Sequence, residues 1–121
     1  MVLLKNPRRK RKLYGIGASP GKVTGVIVKI TEENILEKAS KYKKKVVVTD
    51  SITPSMTLLI IDCTAIVTET GGITCHGAAV SRELGIPCVV GLGPHVKKLK
   101  EGMQVSVDGA TGEISIIGGG A

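Results

Sequence analysis

Six short runs of mostly branched aliphatic residues, each closed by a turn signal, leave this chain few ways to fold. They are Val26–Ile30, Lys45–Thr49, Thr64–Thr68, Pro87–Val90, Met103–Val107 and Glu113–Ile117. Val and Ile together number 27 of the 121 residues, and such side chains favour a pleated, half-buried surface. Runs of this length between Gly, Pro and Asp read as strands. Helical signals fall between the earlier runs. Thr31 with Glu32 and Glu33 opens a helix expected to reach Lys41, and Pro54 suits the first turn of a second one ending near Ile60. His76–Leu84 forms a third, with Gly85 as its C-terminal stop. The last two runs flank Asp108–Gly112, which reads as a hairpin loop. Strands that first alternate with helices and then pair locally predict an α/β or mixed layered domain.

Length and charge narrow the function. A chain of 121 residues fits one domain able to bury its own core. Its formal charge is +7, but Lys5, Arg8, Arg9, Lys10, Arg11 and Lys12 supply six positive charges before any acid, leaving the body nearly neutral. Residues 1–13 are therefore expected to be a basic flexible tail that could bind nucleic acid or an acidic partner. Residues 14–117 are expected to be the domain, and 118–121 a flexible Gly-rich end. Two Tyr and neither Trp nor Phe weaken any reading built on aromatic stacking platforms. No apolar run approaches the roughly 18–20 residues of a membrane span, and the charges follow the short apolar Val2–Leu4 instead of preceding a secretory core. Cys63, Cys75 and Cys88 are an odd set without a CxxC pair and without zinc-ligand spacing toward His76 or His95. They imply a reducing compartment, and the expected location is cytoplasmic.

Smaller features carry structural readings. Gly15–Gly21 is a turn-rich entry with a superficial likeness to GxGxxG. No strand is expected before it and Pro20 occupies the last glycine position, which excludes dinucleotide binding. His95 reads as a solvent-facing turn residue, and Asp50 and Asp108 as turn or cap residues at strand ends. Lys41, Lys43, Lys44 and Lys45 read as a solvated connection, or as a face toward an acidic partner.

The chemistry concentrates in Thr68–Arg82. A strand ends, Gly71 and Gly72 free the backbone, Thr74 is expected at the N-cap, and His76 falls in the first helical turn. Unpaired amides and the helix dipole favour an anion there by roughly 0.3–1 kcal/mol. They disfavour an imidazolium, and a neutral imidazole is what nucleophilic attack needs. Gly71 and Gly72 would let a phosphoryl group approach the backbone. Thr74 and Ser81 are candidate hydroxyl donors, and Arg82 a candidate partner for phosphate oxygens. From the residues alone, the stretch is an anion site with a candidate nucleophile.

Gly71-Gly72-Ile73-Thr74-Cys75-His76, followed by Val80-Ser81-Arg82-Glu83-Leu84-Gly85-Ile86-Pro87, resembles the phosphohistidine signature of the phosphoenolpyruvate-utilising enzymes. Ala18–Gly21 with Gly25, Thr49-Asp50 through Thr53-Pro54, and Gly102 through Gly109 resemble further segments of that family's mobile domain, in the same order. The resemblance implies a swivelling β/β/α three-layer phosphohistidine domain. It implies that His76 carries a phosphoryl group on its distal ring nitrogen, and that Thr74 occupies a position phosphorylated for regulation in the dikinases. Two positions depart from the pattern. Gly77 stands where Ala, Ser or Thr is usual, at a helix cost of roughly 1 kcal/mol, and Ala79 replaces a branched aliphatic, which is expected to loosen packing. Full-length members of the family add an ATP-grasp domain and a TIM-barrel that binds phosphoenolpyruvate. The expected reading is a phosphotransferase component that binds no cofactor itself. Partner chains would hold Mg2+, ATP and phosphoenolpyruvate. Two other classes stay open: a regulatory or anion-binding module without transfer, and nucleic-acid association through Lys5–Lys12.

Overall fold

The computed structural model describes residues 11–38 and 43–119. Its strands are β1 (Arg11–Tyr14), β2 (Ile16–Ser19), β3 (Lys22–Lys29), β4 (Lys45–Thr49), β5 (Ala65–Thr68), β6 (Cys88–Val90), β7 (Met103–Asp108) and β8 (Glu113–Gly119). Two α-helices, α1 (Ile35–Lys38) and α2 (His76–Leu84), and two 3-10 segments, Pro54–Ile60 and Gly93–Lys98, connect them. The strands form one sheet in the order β1-β8-β7-β3-β4-β5-β6-β2. Strands β3, β4, β5 and β6 run parallel, as strands joined by crossovers must, while β7, β8, β1 and β2 add antiparallel pairs.

The first and last strands of that order are chain neighbours, joined through Gly15. The Gly15 amide donates to Gly112 O at 2.9 Å, and β6 approaches β7 although three strands lie between them in the sheet. The sheet therefore curls over itself. Between its two halves lies one core, holding Val46, Val48, Ala65, Val67, Val105 and Ile114. The alternate residues Val47, Ile66, Cys88 and Val90 face a second core under the helical segments with Ala78, Val80, Met56 and Ile60. Period-two alternation in β4 and β5 thus feeds two apolar layers at once, which explains why these strands are apolar at nearly every position. The result is the expected three-layer β/β/α arrangement.

Several expectations are corrected. Arg11, Lys12 and Leu13 are not tail: they pair with Ile116, Ser115 and Ile114, Leu13 is buried, and Lys12 Nζ lies 3.3 Å from Glu113. The rest of the basic run, Lys5–Lys10, lies outside the described residues. Gly118 and Gly119 pair with Gln104 and Met103, so β8 extends into the expected flexible end. Strand β1 does precede the Gly15–Gly21 entry, and Ile16–Ser19 within it is itself a strand. No helix opens there, so the exclusion of a dinucleotide loop stands. The first helix starts later than expected, at Ile35, and residues 39–42 lie outside the described set. The second helix, by contrast, spans Pro54–Ile60 as expected, with 3-10 geometry.

Lys45 departs furthest from its reading. Its side chain is 2% exposed, and its ammonium lies 3.0 Å from an Asp62 carboxylate that is itself 70% exposed. The backbone pairing of β4 between β3 and β5 fixes Lys45 inside the sheet, so the long stem is buried while the charge reaches the rim.

Candidate functional site

Strand β5 ends at Thr68, whose hydroxyl donates to Thr70 O at 2.6 Å. The Thr70 amide and hydroxyl both donate to Asp50 O, at 3.1 and 3.0 Å, stapling the following loop to the end of β4. Gly71 adopts φ +111°, and a Cβ there would sit 3.0 Å from Cys75 Sγ. The loop closes through a bond from Cys75 N to Gly72 O at 3.0 Å. Helix α2 then begins at His76.

The N-cap is Cys75, one residue later than the Thr74 expected, with an extended backbone and no side-chain capping bond. Thr74 is exposed. The first-turn amides of α2 therefore carry no side-chain cap, which leaves the helix N-terminus open to an anion. At the other end Gly85 takes a left-handed conformation and its amide reaches back to Arg82 O, the expected stop.

His76 is exposed, and its Nε2 lies 3.1 Å from the hydroxyl of Thr57. Thr57 belongs to the 3-10 segment, and sequence reasoning did not single it out. Only the Pro54 turn signal hinted that this segment folds, and nothing in it pointed toward a residue nineteen positions further on. Large apolar side chains are exposed on the same segments: Leu58 next to Thr57, and Ile73 before His76.

The other candidates separate. Gly71, Gly72 and Thr74 remain in the loop that delivers His76. Ser81 is corrected: it is fully buried and its hydroxyl donates to Gly77 O at 2.8 Å within α2, so it points into the core. Arg82 is exposed, but its guanidinium is held by backbone carbonyls. Nε donates to Ala18 O at 2.9 Å and Nη2 to Ile73 O. It braces the His76 loop against β2.

The two departures from the family pattern also gain an account. A Cβ on Gly77 would lie 3.2 Å from Ile52 Cγ1, so Ile52 occupies the space that a larger residue would use. Ala79 is exposed, so its small size removes nothing from the core. Cys63 and Cys88 are buried, and burial pushes their thiols up to about 12 and about 11. Cys75 is half-buried. Among the described residues no three His, Cys, Asp or Glu side chains converge as metal ligands, and no helix is long and apolar enough to cross a membrane.

A curled sheet with helices on one outer face, and a histidine at the open start of α2, is the architecture of the swivelling phosphohistidine domains. The chain belongs to the family described as PEP-utilising enzyme, mobile domain, whose pattern its residues 42–112 match. It is 47% identical over 100 residues to the phosphoenolpyruvate synthase of Pyrococcus furiosus, an alignment spanning 83% of this chain and 12% of that protein. It thus spans about an eighth of the length of the curated relatives it matches. Among solved structures it resembles an Enzyme I domain in solution, with TM-score 0.55 and 37% identity over 61% of this chain and 31% of that one. The fold alone is shared with Thermococcus kodakaraensis aconitase X, at TM-score 0.67 and 21% identity over 89% of this chain and 99% of that one.

Proposed function

We propose that this chain is a phosphohistidine carrier that accepts a phosphoryl group on Nε2 of His76 and passes it to a second site. Its family membership supports a part in phosphotransfer. The observation that carries the finer reading is the exposed imidazole at an uncapped helix start, with Thr57 3.1 Å from Nε2. With Thr57 as donor, the ring proton stays on Nδ1 and Nε2 keeps its lone pair. That lone pair forms the P–N bond while the donor's P–O bond breaks, and the reverse step delivers the group onward. Gly71, Gly72 and Thr74, with the first-turn amides, would hold the phosphoryl oxygens, while Arg82 keeps the loop in place.

The partners proposed are an ATP-grasp subunit and a TIM-barrel subunit, which bring nucleotide, Mg2+ and phosphoenolpyruvate to the cytoplasmic carrier. Exposed Leu58 and Ile73 flank His76 and suit transient docking against such surfaces. Thr74, exposed two residues before His76, is accessible to regulatory phosphorylation.

The test is transfer from labelled phosphoenolpyruvate in the presence of a phosphoenolpyruvate synthase whose own mobile domain has been inactivated. Acid-labile, alkali-stable label on the wild-type chain, lost in His76→Ala, supports the carrier. Equal labelling of the variant overturns it.

A further inference from the structure

Strand β3 pairs with β4 only from Val26 onward; its first residues, Lys22–Thr24, pair with β7 alone. A cavity of about 470 Å³ opens where β3 and β4 part, lined by Lys22, Val23, Thr24, Lys44, Thr64 and Ser106. It lies at the N-terminal ends of β4 and β5, whereas His76 follows the C-terminal end of β5. The two regions are therefore at opposite ends of the parallel strands.

The chemistry of the lining has one sign. The lining residues include two lysines, two threonines and a serine beside Val23, and no acid is among them. Among the described residues the side chains of Lys22, Lys44, Thr24, Thr64 and Ser106 have no hydrogen-bond or ion-pair partner. Two acids lie nearby without lining the cavity. Asp108, opposite Lys22, accepts the amides of Ala110 and Thr111, and Asp62 pairs with Lys45.

The backbones bearing these groups are fixed. Thr24 stands opposite Ser106 in the β3–β7 ladder. The Val26 amide donates to Lys44 O and the Thr64 amide to Lys45 O, each at 2.8 Å. A Cβ on Gly25 would lie 2.6 Å from Lys44 O, so only glycine admits this close crossing, which holds Lys44 over the cavity. Donor side chains on a fixed backbone, around a concave space whose lining holds no acid, suit an oxyanion.

We infer that this cleft is a second anion site, separate from His76, that takes the phosphate or diphosphate group of a small phosphorylated ligand. The volume exceeds what one phosphate fills, and the neighbouring concavity shares Thr24 and Lys44 and continues toward Gln104, which leaves room for the body of such a ligand. The site's failure would leave the His76 reading untouched, because the two share no residue.

The test is amide-resolved NMR titration of the full chain with inorganic phosphate, pyrophosphate and, separately, a single-stranded oligonucleotide. Pyrophosphate should saturate, shifting the amides of Thr24, Lys44, Thr64 and Ser106 and leaving those of Gly71–Gly77 in place. Lys22→Gln with Lys44→Gln should keep the dispersed spectrum, accept phosphoryl groups at His76 as the wild type does, and weaken pyrophosphate binding about tenfold or more. Shifts confined to the His76 loop, or undiminished binding in the double variant, would overturn the site. Binding of the oligonucleotide alone would overturn the small-ligand reading.

Discussion

The hydroxyl of Thr57 lies 3.1 Å from Nε2 of His76, so a 3-10 turn after β4 and a helix after β5 meet at the nitrogen proposed for phosphoryl transfer. The contact orients the ring, so in the proposed transfer Thr57 acts through His76. Thr57→Val should slow phosphoryl acceptance about tenfold, the weight of one oriented hydrogen bond. Thr57→Ser should restore most of the rate, and both variants should melt near the wild type. A Thr57→Val protein that accepts phosphate at full rate would remove Thr57 from the mechanism.

Gly71→Ala tests the loop. Its φ of +111° strains any L side chain, and a Cβ would press on Cys75 Sγ at 3.0 Å. The variant should lose roughly 1–2 kcal/mol in denaturant unfolding. Gly72→Ala meets nothing within 4 Å and has no positive φ, so it should change stability by much less. Equal losses at the two positions would mean that the strain at Gly71 is not what matters.

Docking predicts a split between folding and transfer. Leu58 is 80% exposed and Ile73 56% exposed, so Leu58→Glu and Ile73→Glu should leave the melting temperature almost unchanged. If partner surfaces close over His76 there, each should raise the apparent KM for the phosphorylated partner about tenfold. Unchanged transfer kinetics would place the docking surface elsewhere.

The buried thiols give a pH dependence with a defined sign. Burial raises Cys63 from 9.0 to about 12. Below pH 9 both folded and unfolded chains keep this proton. Above it the unfolded chain releases the proton first, so stability falls as pH rises toward 12, by up to about 1.4 kcal/mol per pH unit for this thiol. Cys63→Ala should flatten the slope of stability between pH 9 and 11 relative to wild type. Alkylation at pH 8 should mark half-buried Cys75 well before Cys63 or Cys88, and reversed reactivity would contradict the burial pattern.

Much of the fold could be read from periodicity. The six β-branched runs became β3 to β8, and the helix at His76–Leu84 with its Gly85 stop matched. The misses share a physical cause: they depend on distant partners. Ile16–Ser19 becomes a strand because β6 pairs with it, although locally it looks like a turn. Lys45 reads as solvated from its lysine neighbours, but the sheet buries its stem and Asp62 meets its charge. At the site, His76 and its glycine loop stood out because their chemistry is local. Ser81 looked equally available, but the helix turns it inward toward Gly77 O. Thr57 carried no local signal, since its role arises only when two crossovers close over the ends of β4 and β5.

The proposed carrier role turns on where phosphate attaches. Phosphorus NMR with mass spectrometry under alkaline conditions should follow the full chain after exposure to phosphoenolpyruvate and a synthase lacking a working mobile domain. A single phosphoramidate is expected on Nε2 of His76, lost on acidification and absent from His76→Ala. Phosphate on any other residue, or none on His76 while the synthase remains competent toward its own restored domain, would contradict it.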